Sequence, residues 1–253
     1  MYAPERHRAI VERVSTSGRA AVVDLAEALQ VTPETIRRDL SILERQGLIR
    51  RVHGGAIPIR RLGYQPNVDS RSAVLIEEKG RIAEAALDEV PVEGAIIIDA
   101  GTTTGRLVAM LPHDRALTVV TNSVQHAIAL ANRENITCLL LGGRVRGRTL
   151  ACVESWAINS LKGITADVAI VGTDGISVER GLSTPDRIEA EIKAAMLAAA
   201  HRKVVLADHT KFGDDHFAAF ASLDDIDVII TDTGLDADVA SQMEAAGPMV
   251  VLA

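Results

Sequence analysis

The sequence predicts an α/β protein in two parts: a small, mostly helical amino-terminal domain, then a larger open domain built on a mostly parallel sheet. Helical periodicity dominates the first 46 of the 253 residues, and a short glycine-containing β pattern follows it. From about residue 76, continuous Ile/Val/Leu runs alternate with helical segments, which is typical of parallel sheets covered on both faces. The charge also divides, because residues 1–61 contain 11 Arg and seven acidic residues, a net +4, whereas residues 62–253 have a net charge of −11.

The composition excludes several classes of protein. Hydrophobic residues make up 47% and charged residues 24% of the chain, and no run approaches the roughly 20 apolar residues that a membrane-spanning helix needs. The first residues do not resemble a signal peptide. The two cysteines, Cys138 and Cys152, lack the paired spacing of a metal site. We therefore expect a cytoplasmic protein with reduced thiols, no metal, no cofactor and no membrane contact.

The amino-terminal domain, predicted over residues 1–56, contains three helices and a β-ribbon. Thr32 is a suitable N-cap for the third helix, and Pro33 suits its first helical position. Gly47 is suitable as its carboxyl-terminal cap. Two adjacent glycines at 54 and 55 would allow a narrow turn in the ribbon. The predicted helices are Pro4–Ser17, Val22–Leu29 and Pro33–Gln46, and the ribbon covers residues 48–56.

The third helix is predicted to present arginines away from the core. Ile36, Leu40 and Leu43 form its apolar stripe, so Thr35, Arg37, Arg38 and Ser41 are predicted to point away from the core. A helix that follows another across a short turn can enter the DNA major groove, where the planar fork of an arginine binds guanine O6 and N7. By spacing alone, a helical hairpin with solvated arginines explains the pattern equally well.

The second domain is predicted over residues 76–253, after a linker at 57–75. The linker prediction depends on Pro58, Gly63, Pro66 and Asn67 and on the absence of sustained periodicity. Apolar runs predict seven strands: Ala95–Asp99, Leu117–Thr121, Ile136–Leu141, Asp167–Gly172, Lys203–Ala207, Asp227–Thr231 and Met249–Leu252.

Polar loops follow five of these strands, at the edge where an open α/β sheet binds its ligands. The GTTTG loop at 101–105 precedes a helix and would offer N–H groups, hydroxyls and a positive dipole end to a phosphate. It lacks the lysine of a Walker loop, and GxGxxG is absent from the chain, which argues against a nucleotide. An ordinary turn also explains each loop taken alone.

The run TPETIRRDLSILERQGLIRRVHGGA, residues 32–56, resembles the signature of the DeoR family of bacterial transcriptional regulators. In that family a TIRRDL recognition helix precedes a GxxxRxHGGA wing, so the resemblance implies a winged helix-turn-helix. Pro33 stands where many relatives have Ser, and proline suits a helix start. The predicted DNA-binding residues are Thr35, Arg37, Arg38, Ser41, Arg51, His53, Gly54 and Gly55.

The resemblance continues through residues 79–232, in IDAGTTT, VVTNS, LLGGR, VGTDGI and LADHTKF. It implies a carboxy-terminal domain that is similar to sugar-phosphate isomerases and binds a phosphorylated sugar or related metabolite as its effector. The segment 152–156, which includes Trp156, departs from the small residues common in the family and leaves the effector's identity open. The implied effector-binding residues are Asp99, Gly101, Thr102, Thr103, Thr104, Asn122, Gly143, Arg144, Asp174, Lys193, Asp208 and Lys211.

We therefore expect a transcriptional repressor of a carbohydrate-metabolism operon. Its expected partners are a double-stranded DNA operator and a phosphorylated sugar, and it is expected to form a homo-oligomer, a dimer or a tetramer. The alternative is an isomerase-like enzyme that uses Asp99, Asp174 or Asp208 as a base and Lys211 as a cation. Against it, no lysine lies between Lys162 and Lys193, where such isomerases have one. We therefore expect no catalytic residues.

Two further groups of residues are given structural interpretations. Arg144, Arg146 and Arg148 are predicted to lie on a solvated loop rather than to form a second DNA site. Phe212, Phe217 and Phe220, half of the six aromatic residues, are predicted to pack in a core or a subunit interface rather than stack on a ligand.

Overall fold

The computed structural model describes residues 2–17, 20–46, 48–52, 54–58 and 65–253. The chain divides into two compact units, residues 1–61 and 62–253. Each unit has its own hydrophobic core.

The first unit packs three helices against a small antiparallel sheet. Its elements are α1 (Ala3–Ser17), β1 (Ala20–Ala21), α2 (Val22–Ala28), α3 (Pro33–Arg45), β2 (Ile49–Val52) and β3 (Gly55–Pro58). Ile10, Leu25, Ile36, Leu40 and Ile49 are completely buried between these elements. The strand order is β1-β3-β2. The predicted helices and the ribbon are confirmed; β1 was not predicted, since a strand of two residues has no periodic signal.

The second unit begins with helices and then alternates strands with helices. Three short 3₁₀ helices lie at Ala86–Glu89, His209–Lys211 and Leu223–Asp225. The other elements are α4 (Val68–Ser72), α5 (Ile76–Ala85), β4 (Glu93–Ile98), α6 (Thr102–Met110), β5 (Ala116–Thr121), α7 (Val124–Leu130), β6 (Ile136–Leu140), β7 (Arg144–Arg146), β8 (Ala151–Val153), α8 (Glu154–Leu161), β9 (Ala166–Gly172), β10 (Gly175–Ser177), β11 (Gly181–Thr184), α9 (Arg187–Ala198), β12 (Ala200–Leu206), β13 (Ala218–Ala221), β14 (Val228–Thr231), α10 (Ala237–Ala245) and β15 (Met249–Leu252).

Seven of these strands form one parallel sheet in the order β15-β14-β12-β9-β4-β5-β6. All seven were predicted from the apolar runs. Two smaller antiparallel sheets, β7-β8 and β10-β11-β13, were not predicted. Their strands are only three or four residues long, too short to show an alternating pattern.

Alternate residues of the central strands enter two separate hydrophobic cores on opposite faces of the sheet. On β4, Ile97 packs in the core that also contains Ile192 of α9 and Met243 of α10. Its neighbours on the strand pack in the core that contains Ile82 of α5 and Leu107 of α6. Burial on both faces explains why the sequences of these strands are continuous apolar runs. It also leaves their carboxyl ends as the place where polar loops gather.

The segment predicted as a linker, residues 57–75, is largely folded where the structure describes it. β3 extends through Pro58, and residues 65–75 fold within the second unit. Gln65 and Val68 are only 2% and 6% exposed. Asn67 caps α4 by accepting a hydrogen bond from the Ser70 N–H at 2.8 Å. A five-residue helix is too short to show helical periodicity, so composition alone suggested a linker; residues 59–64 lie outside the described residues.

Across the described residues, every helix is too short or too polar to cross a lipid bilayer.

Candidate functional sites

The outer face of α3 is polar and accessible. Arg37 and Arg38 are exposed, and Thr35 and Ser41 are half-buried. Nη1 of Arg37 donates to Oε2 of Glu34 at 2.9 Å, but both side chains are more than half exposed, so this pair is weak. Arg38 forms no ion pair with any other described residue of the chain. Both guanidinium groups are therefore available to a partner.

Asp39 ties the inner face of α3 to α1. Nε and Nη2 of Arg6 donate to its two carboxylate oxygens at 2.6 and 3.1 Å, and Nε2 of His7 lies 2.8 Å from Oδ1. Burial disfavours the charged carboxylate, but the hydrogen bonds and charges of Arg6 and His7 outweigh it and lower the pKa of Asp39. Sequence analysis missed this contact, because it joins residues more than 30 positions apart.

Arg51 connects the wing to α3. Its backbone N–H donates to Oε1 of Glu44 at 2.9 Å, and its Nη1 donates to Oγ of Ser41 at 2.8 Å. The Ser41 hydroxyl in turn donates to the carbonyl oxygen of Arg37 at 2.8 Å. Ser41 and Arg51, both predicted to contact DNA, thus bond to each other and fix β2 against the helix. Glu44 was not predicted.

The two glycines of the wing differ from each other. Gly54 is exposed with φ +77°, the left-handed conformation that favours glycine, so it shapes the turn. Gly55 is buried, and a Cβ there would lie 2.2 Å from the carbonyl oxygen of Ala20. Glycine is required there because β1 lies against β3, and the contact of Gly55 with DNA stays a prediction. His53 lies outside the described residues.

In the second unit, Asp99 and Lys193 form a buried ion pair at the carboxyl end of β4. Nζ of Lys193 donates to Oδ2 of Asp99 and, at 2.9 Å, to the carbonyl oxygen of Gly172. Burial opposes the charge on Lys193, but Asp99, Glu189 and Asp174 outweigh it and raise the pKa of this lysine. Lys193 is thus charged at neutral pH and joins the ends of β4 and β9 to α9.

The Gly–Thr loop follows β4 as predicted and leads into α6. Oγ1 of Thr104 donates to the carbonyl oxygen of Asp99 at 2.7 Å, and the Ala100 N–H donates to Oδ1 of Asn122 at 2.8 Å. No side chain caps the helix at Gly101. Thr102 is half-buried in the first turn, and Thr103 is buried. The first turn of α6 therefore provides N–H donors and the positive end of a helix dipole.

Asp208 and Lys211 lie together after β12. Nζ of Lys211 is 3.8 Å from Oδ2 of Asp208, and the Thr210 N–H donates to Oδ1 at 3.2 Å. Burial disfavours the charged form of Asp208, but the charge of Lys211, the Thr210 hydrogen bonds and the charge of Lys79 lower its pKa. Lys211 stays about one-third exposed.

Lys79, on α5, is a buried cation that sequence analysis missed. Its Nζ donates to the carbonyl oxygens of Arg71 and Val74 at 2.7 and 2.8 Å. Burial lowers the pKa of Lys79 to about 8; the charge of Asp208 opposes this shift, and the charge of Lys211 adds to it. Lys79 is therefore near its titration point at slightly alkaline pH.

Arg71 and Arg106 complete this group, since their charges also act on Lys79. Nε of Arg71 is buried and has no hydrogen-bond partner among the described residues, and its Nη1 lies 3.8 Å from Oδ1 of Asp174. Arg106 is half-buried on α6. We call Arg71, Lys79, Arg106 and Lys211 the cationic cluster. Four positive groups beside two carboxylates, Asp174 and Asp208, leave an excess of positive charge that favours an anionic ligand.

Asp174 and Glu189 share a buried hydrogen-bond donor, Gln65. Nε2 of Gln65 donates to Oδ2 of Asp174 at 3.0 Å and to Oε2 of Glu189 at 3.1 Å. Oδ2 of Asp174 also accepts from the Thr184 hydroxyl at 2.8 Å. Burial raises the pKa of Asp174, but the charges of Arg71 and Lys193 outweigh this effect and keep that pKa low. Sequence analysis missed Gln65 because it placed this residue in the linker.

Gly143 and Arg144 shape the β7-β8 hairpin. Gly143 has φ +117°, and a Cβ there would lie 2.7 Å from the carbonyl oxygen of Val153. Arg144 is half exposed, and its Nε donates to Oε1 of Glu154 at 2.7 Å. Among the described residues, no contact joins Arg144 to the cationic cluster.

The structure corrects one of the two structural interpretations, that of the arginines. Arg146 does not lie on a solvated loop: its Nε donates to Oδ2 of Asp186 at 3.0 Å and its Nη1 to Oε1 of Gln65 at 2.7 Å. The phenylalanines also differ from one another. Phe212 and Phe220 pack against the core, and the Phe220 ring centroid lies 5.7 Å from Nζ of Lys193, whereas Phe217 is 62% exposed. Within the described residues, no group of three His, Cys, Asp or Glu is placed to hold a metal.

Two family models match the chain. The DeoR-like helix-turn-helix domain matches residues 6–61, and the DeoR C terminal sensor domain matches residues 75–233. The HTH-type transcriptional regulator GlpR of Haloferax volcanii is 40% identical over 251 residues, which cover 99% of this chain and 98% of that protein. The putative aga operon transcriptional repressor of Escherichia coli O157:H7 is 32% identical, with 98% and 93% covered.

A third relative, the glycerol-3-phosphate regulon repressor of Escherichia coli K12, is 32% identical, with 90% of each chain covered. Among solved structures, ribose 5 phosphate isomerase A from Neisseria gonorrhoeae overlaps 53% of this chain and 52% of its own at 20% identity and a TM-score of 0.37.

Proposed function

The chain belongs to the DeoR family of transcriptional regulators, and on this basis we propose that it represses a carbohydrate-metabolism operon under the control of a phosphorylated sugar or related metabolite. The observation that supports this most is that one chain contains both an arginine-bearing helix-turn-helix and a strand-end site with four cations. The names of two relatives, an aga operon repressor and a glycerol-3-phosphate regulon repressor, favour the carbohydrate assignment.

On the DNA side, α3 is proposed to lie in the major groove. Arg37, Arg38 and Thr35 would face the base edges and the phosphates, because they are on the accessible side of this helix. Ser41 and Arg51 would hold the wing at the angle that the groove requires. Gly54 would give the wing a turn narrow enough to approach the DNA backbone, and His53 stays a predicted DNA contact. Phosphate contacts would make the affinity depend on salt.

Arg38→Ala is expected to weaken binding to a specific operator by about 5- to 150-fold, the loss of one good base contact of about 1–3 kcal/mol. The operator is a duplex selected from a randomised pool by the wild-type, full-length protein. Fluorescence anisotropy measures the affinity, and circular dichroism checks that the fold is kept.

Arg187→Ala is the matched control, since it removes the same charge from an exposed position in the second unit. Its operator affinity should equal that of the wild-type protein. An Arg38→Ala protein that is folded and binds the operator with unchanged affinity would contradict the assignment of α3 as the recognition helix.

On the effector side, the phosphate is proposed to bind between the cationic cluster and the first turn of α6, with Gly101, Thr102 and Thr103 as donors. The carboxylates of Asp174, Glu189 and Asp208 would accept hydrogen bonds from sugar hydroxyls. Asp99, Lys193, Thr104 and Asn122 would keep the loops in place. Gly143 and Arg144 stay candidates at the rim.

The effector would release DNA only if it binds the DNA-incompetent form more tightly. A typical coupling of about 1–3 kcal/mol changes DNA affinity about 5- to 150-fold.

A phosphorylated sugar at 100 times its dissociation constant is expected to stabilise the protein by about 2.7 kcal/mol. Thermal unfolding is measured with sn-glycerol 3-phosphate, ribose 5-phosphate, fructose 1-phosphate and related esters, which we call the ester panel. Lys211→Ala should remove most of the shift, because it deletes the most accessible charge of the cationic cluster.

Lys162→Ala, on an exposed lysine after α8, should keep the full shift. If Lys211→Ala keeps it too, the phosphate binds elsewhere. If no ester stabilises the wild-type protein, the proposed effector class is wrong.

We further propose that the protein acts in the cytoplasm as a symmetric dimer or tetramer, which would match a palindromic or repeated operator. The isomerase-like alternative requires one carboxylate as a base and Lys211 as the cation. Asp99 is bonded to Lys193 instead, and Lys211 lies beside Asp208. Turnover of a sugar phosphate above about 1 per second by the purified protein would favour this alternative.

A further inference from the structure

Gln65 is the first residue of the second unit that the structure describes, and its side chain is fully hydrogen bonded in the interior. It is 2% exposed. Its two amide N–H groups face Asp174 and Glu189, at 3.0 and 3.1 Å, and its Oε1 accepts from Nη1 of Arg146 at 2.7 Å. A primary amide has two donors and one carbonyl acceptor, so every polar group of this side chain is used.

The residues that follow Gln65 are held by further hydrogen bonds, from Arg148 and from Lys79. The backbone carbonyl of Gln65 accepts from Nη1 of Arg148, and the Val68 N–H donates to the carbonyl oxygen of Arg148 at 2.9 Å. Nζ of Lys79 binds the carbonyl oxygens of Arg71 and Val74. We call residues 65–75 the strap. Asp174 and Glu189 hold the beginning of the strap, and a member of the cationic cluster holds its end.

Asp174 has little capacity left at Oδ2 for another donor, whereas its Oδ1 faces Nη1 of Arg71 at 3.8 Å. Its Oδ2 already accepts from Gln65 and from Thr184, which fills the two lone pairs of that oxygen. A ligand hydroxyl that bonds Oδ2 must therefore replace one of them. Thr184 is completely buried within β11, where its pairing with Ala218 of β13 fixes it. Gln65 precedes a five-residue helix and has no strand to hold it, so it is the donor that can leave.

We propose that Gln65 is an internal competitor of the effector: a sugar hydroxyl that bonds Oδ2 of Asp174 displaces the Gln65 amide and frees the strap. The strap is joined through the chain to the DNA-binding unit, so its release would transmit the occupancy of the site. This inference rests on the proposed effector site. It also gives a chemical reason for selectivity, because a ligand without hydroxyl groups cannot replace the amide.

Hydrogen–deuterium exchange of the full-length protein tests the proposal. In the wild-type protein, an ester that shifts the melting temperature should also raise the exchange of backbone amides 67–75 about tenfold or more, since the hydrogen bonds that protect the strap are lost. Inorganic phosphate, which has no carbon-bound hydroxyl, should leave the exchange of these amides unchanged.

Gln65→Ala should produce the same rapid exchange without any ester. It should also bind that ester more tightly, by about 5- to 150-fold, because the competitor is gone. A merely structural glutamine would leave the affinity unchanged or weaken it. Gln242→Ala, on an exposed glutamine of α10, is the control and should match the wild-type protein. Gln65→Asn, which shortens the amide by one methylene, replaces the alanine variant if that does not fold.

An ester that stabilises the wild-type protein but leaves the strap's exchange unchanged, or lowers it, would overturn the inference and leave the proposed function intact. Equal ester affinity in the wild-type protein and in the folded Gln65 variant would do the same. The absence of stabilisation by every ester would instead count against the proposed function, and the inference would fall with it.

Discussion

Lys79 shows how one buried side chain can make effector binding depend on pH. Burial lowers the pKa of Lys79 to about 8, so the folded protein holds part of this lysine in the neutral form just above neutral pH. An anion that binds beside it favours the charged ammonium. Binding of a phosphate ester should therefore be coupled to the uptake of a proton.

The affinity for a phosphate ester is expected to change little close to pH 7 and to fall as the pH rises through about 8, approaching about tenfold per pH unit. The sign follows because the protonated lysine attracts the anion and predominates only below its pKa. The second pKa of a phosphate ester is about 6, so the ligand's own ionisation is complete in this range. Titration calorimetry at pH 7 to 9.5 measures the effect.

Lys79→Met, which keeps the length of the side chain, should lower the affinity at pH 7 and remove most of the pH dependence. An affinity for the wild-type protein that does not change between pH 7 and 9.5 would show that the ester does not bind near Lys79.

Individual site residues were predictable only where they follow a strand or belong to a familiar motif. Asp99, Asp174 and Asp208 each come directly after an apolar run, so their place at one sheet edge could be predicted. Lys79 and Gln65 reach the site from a helix and from an apparent linker. Their positions depend on tertiary contacts between distant residues, which no local pattern records.

At the scale of the elements, the contact between α1 and α3 sets the position of α3, the proposed recognition helix. Asp39→Ala is expected to destabilise the first unit by about 2 kcal/mol, because it leaves the partly buried groups of Arg6 and His7 without their acceptor. Exchange of the α3 amides should rise, and operator affinity should fall as the helix loses its support.

Glu27→Ala removes an exposed acid from α2 and should change stability by no more than about 0.5 kcal/mol. Urea unfolding followed by circular dichroism compares the two variants. Equal stability of Asp39→Ala and the wild-type protein would show that the Arg6–Asp39 pair contributes nothing to the fold of this unit.

The elements that could be predicted are those whose burial places hydrophobic residues at regular intervals along the sequence. The seven central strands and the three amino-terminal helices each bury a face or both faces, so hydrophobic spacing marks them. By contrast, β1, α4 and the β7-β8 hairpin have two to five residues each. Neighbouring elements stabilise these short pieces, so their sequences resemble ordinary loops.

For the whole molecule, the fold class and the division of labour between the units could be predicted. The charge division, the arginine-bearing helix and the alternation of strands with helices are properties of long stretches, which single substitutions do not erase. The identity of the effector could not be predicted. In the proposed site it would depend on the spacing of Asp174, Glu189 and the cationic cluster, and this spacing is a product of the assembled sheet.

The parallel sheet also has a consequence for the order of folding. Ile97 of β4 pairs with Ala169 of β9, so this one pair joins residues farther apart than the entire length of the first unit, residues 1–61. Chains with high contact order fold slowly, and amino-terminal domains emerge first from the ribosome. In pulse-labelled refolding, protection of α3 amides should precede that of β9. In each newly synthesised molecule, the DNA-binding unit is therefore expected to fold before the unit that responds to a metabolite.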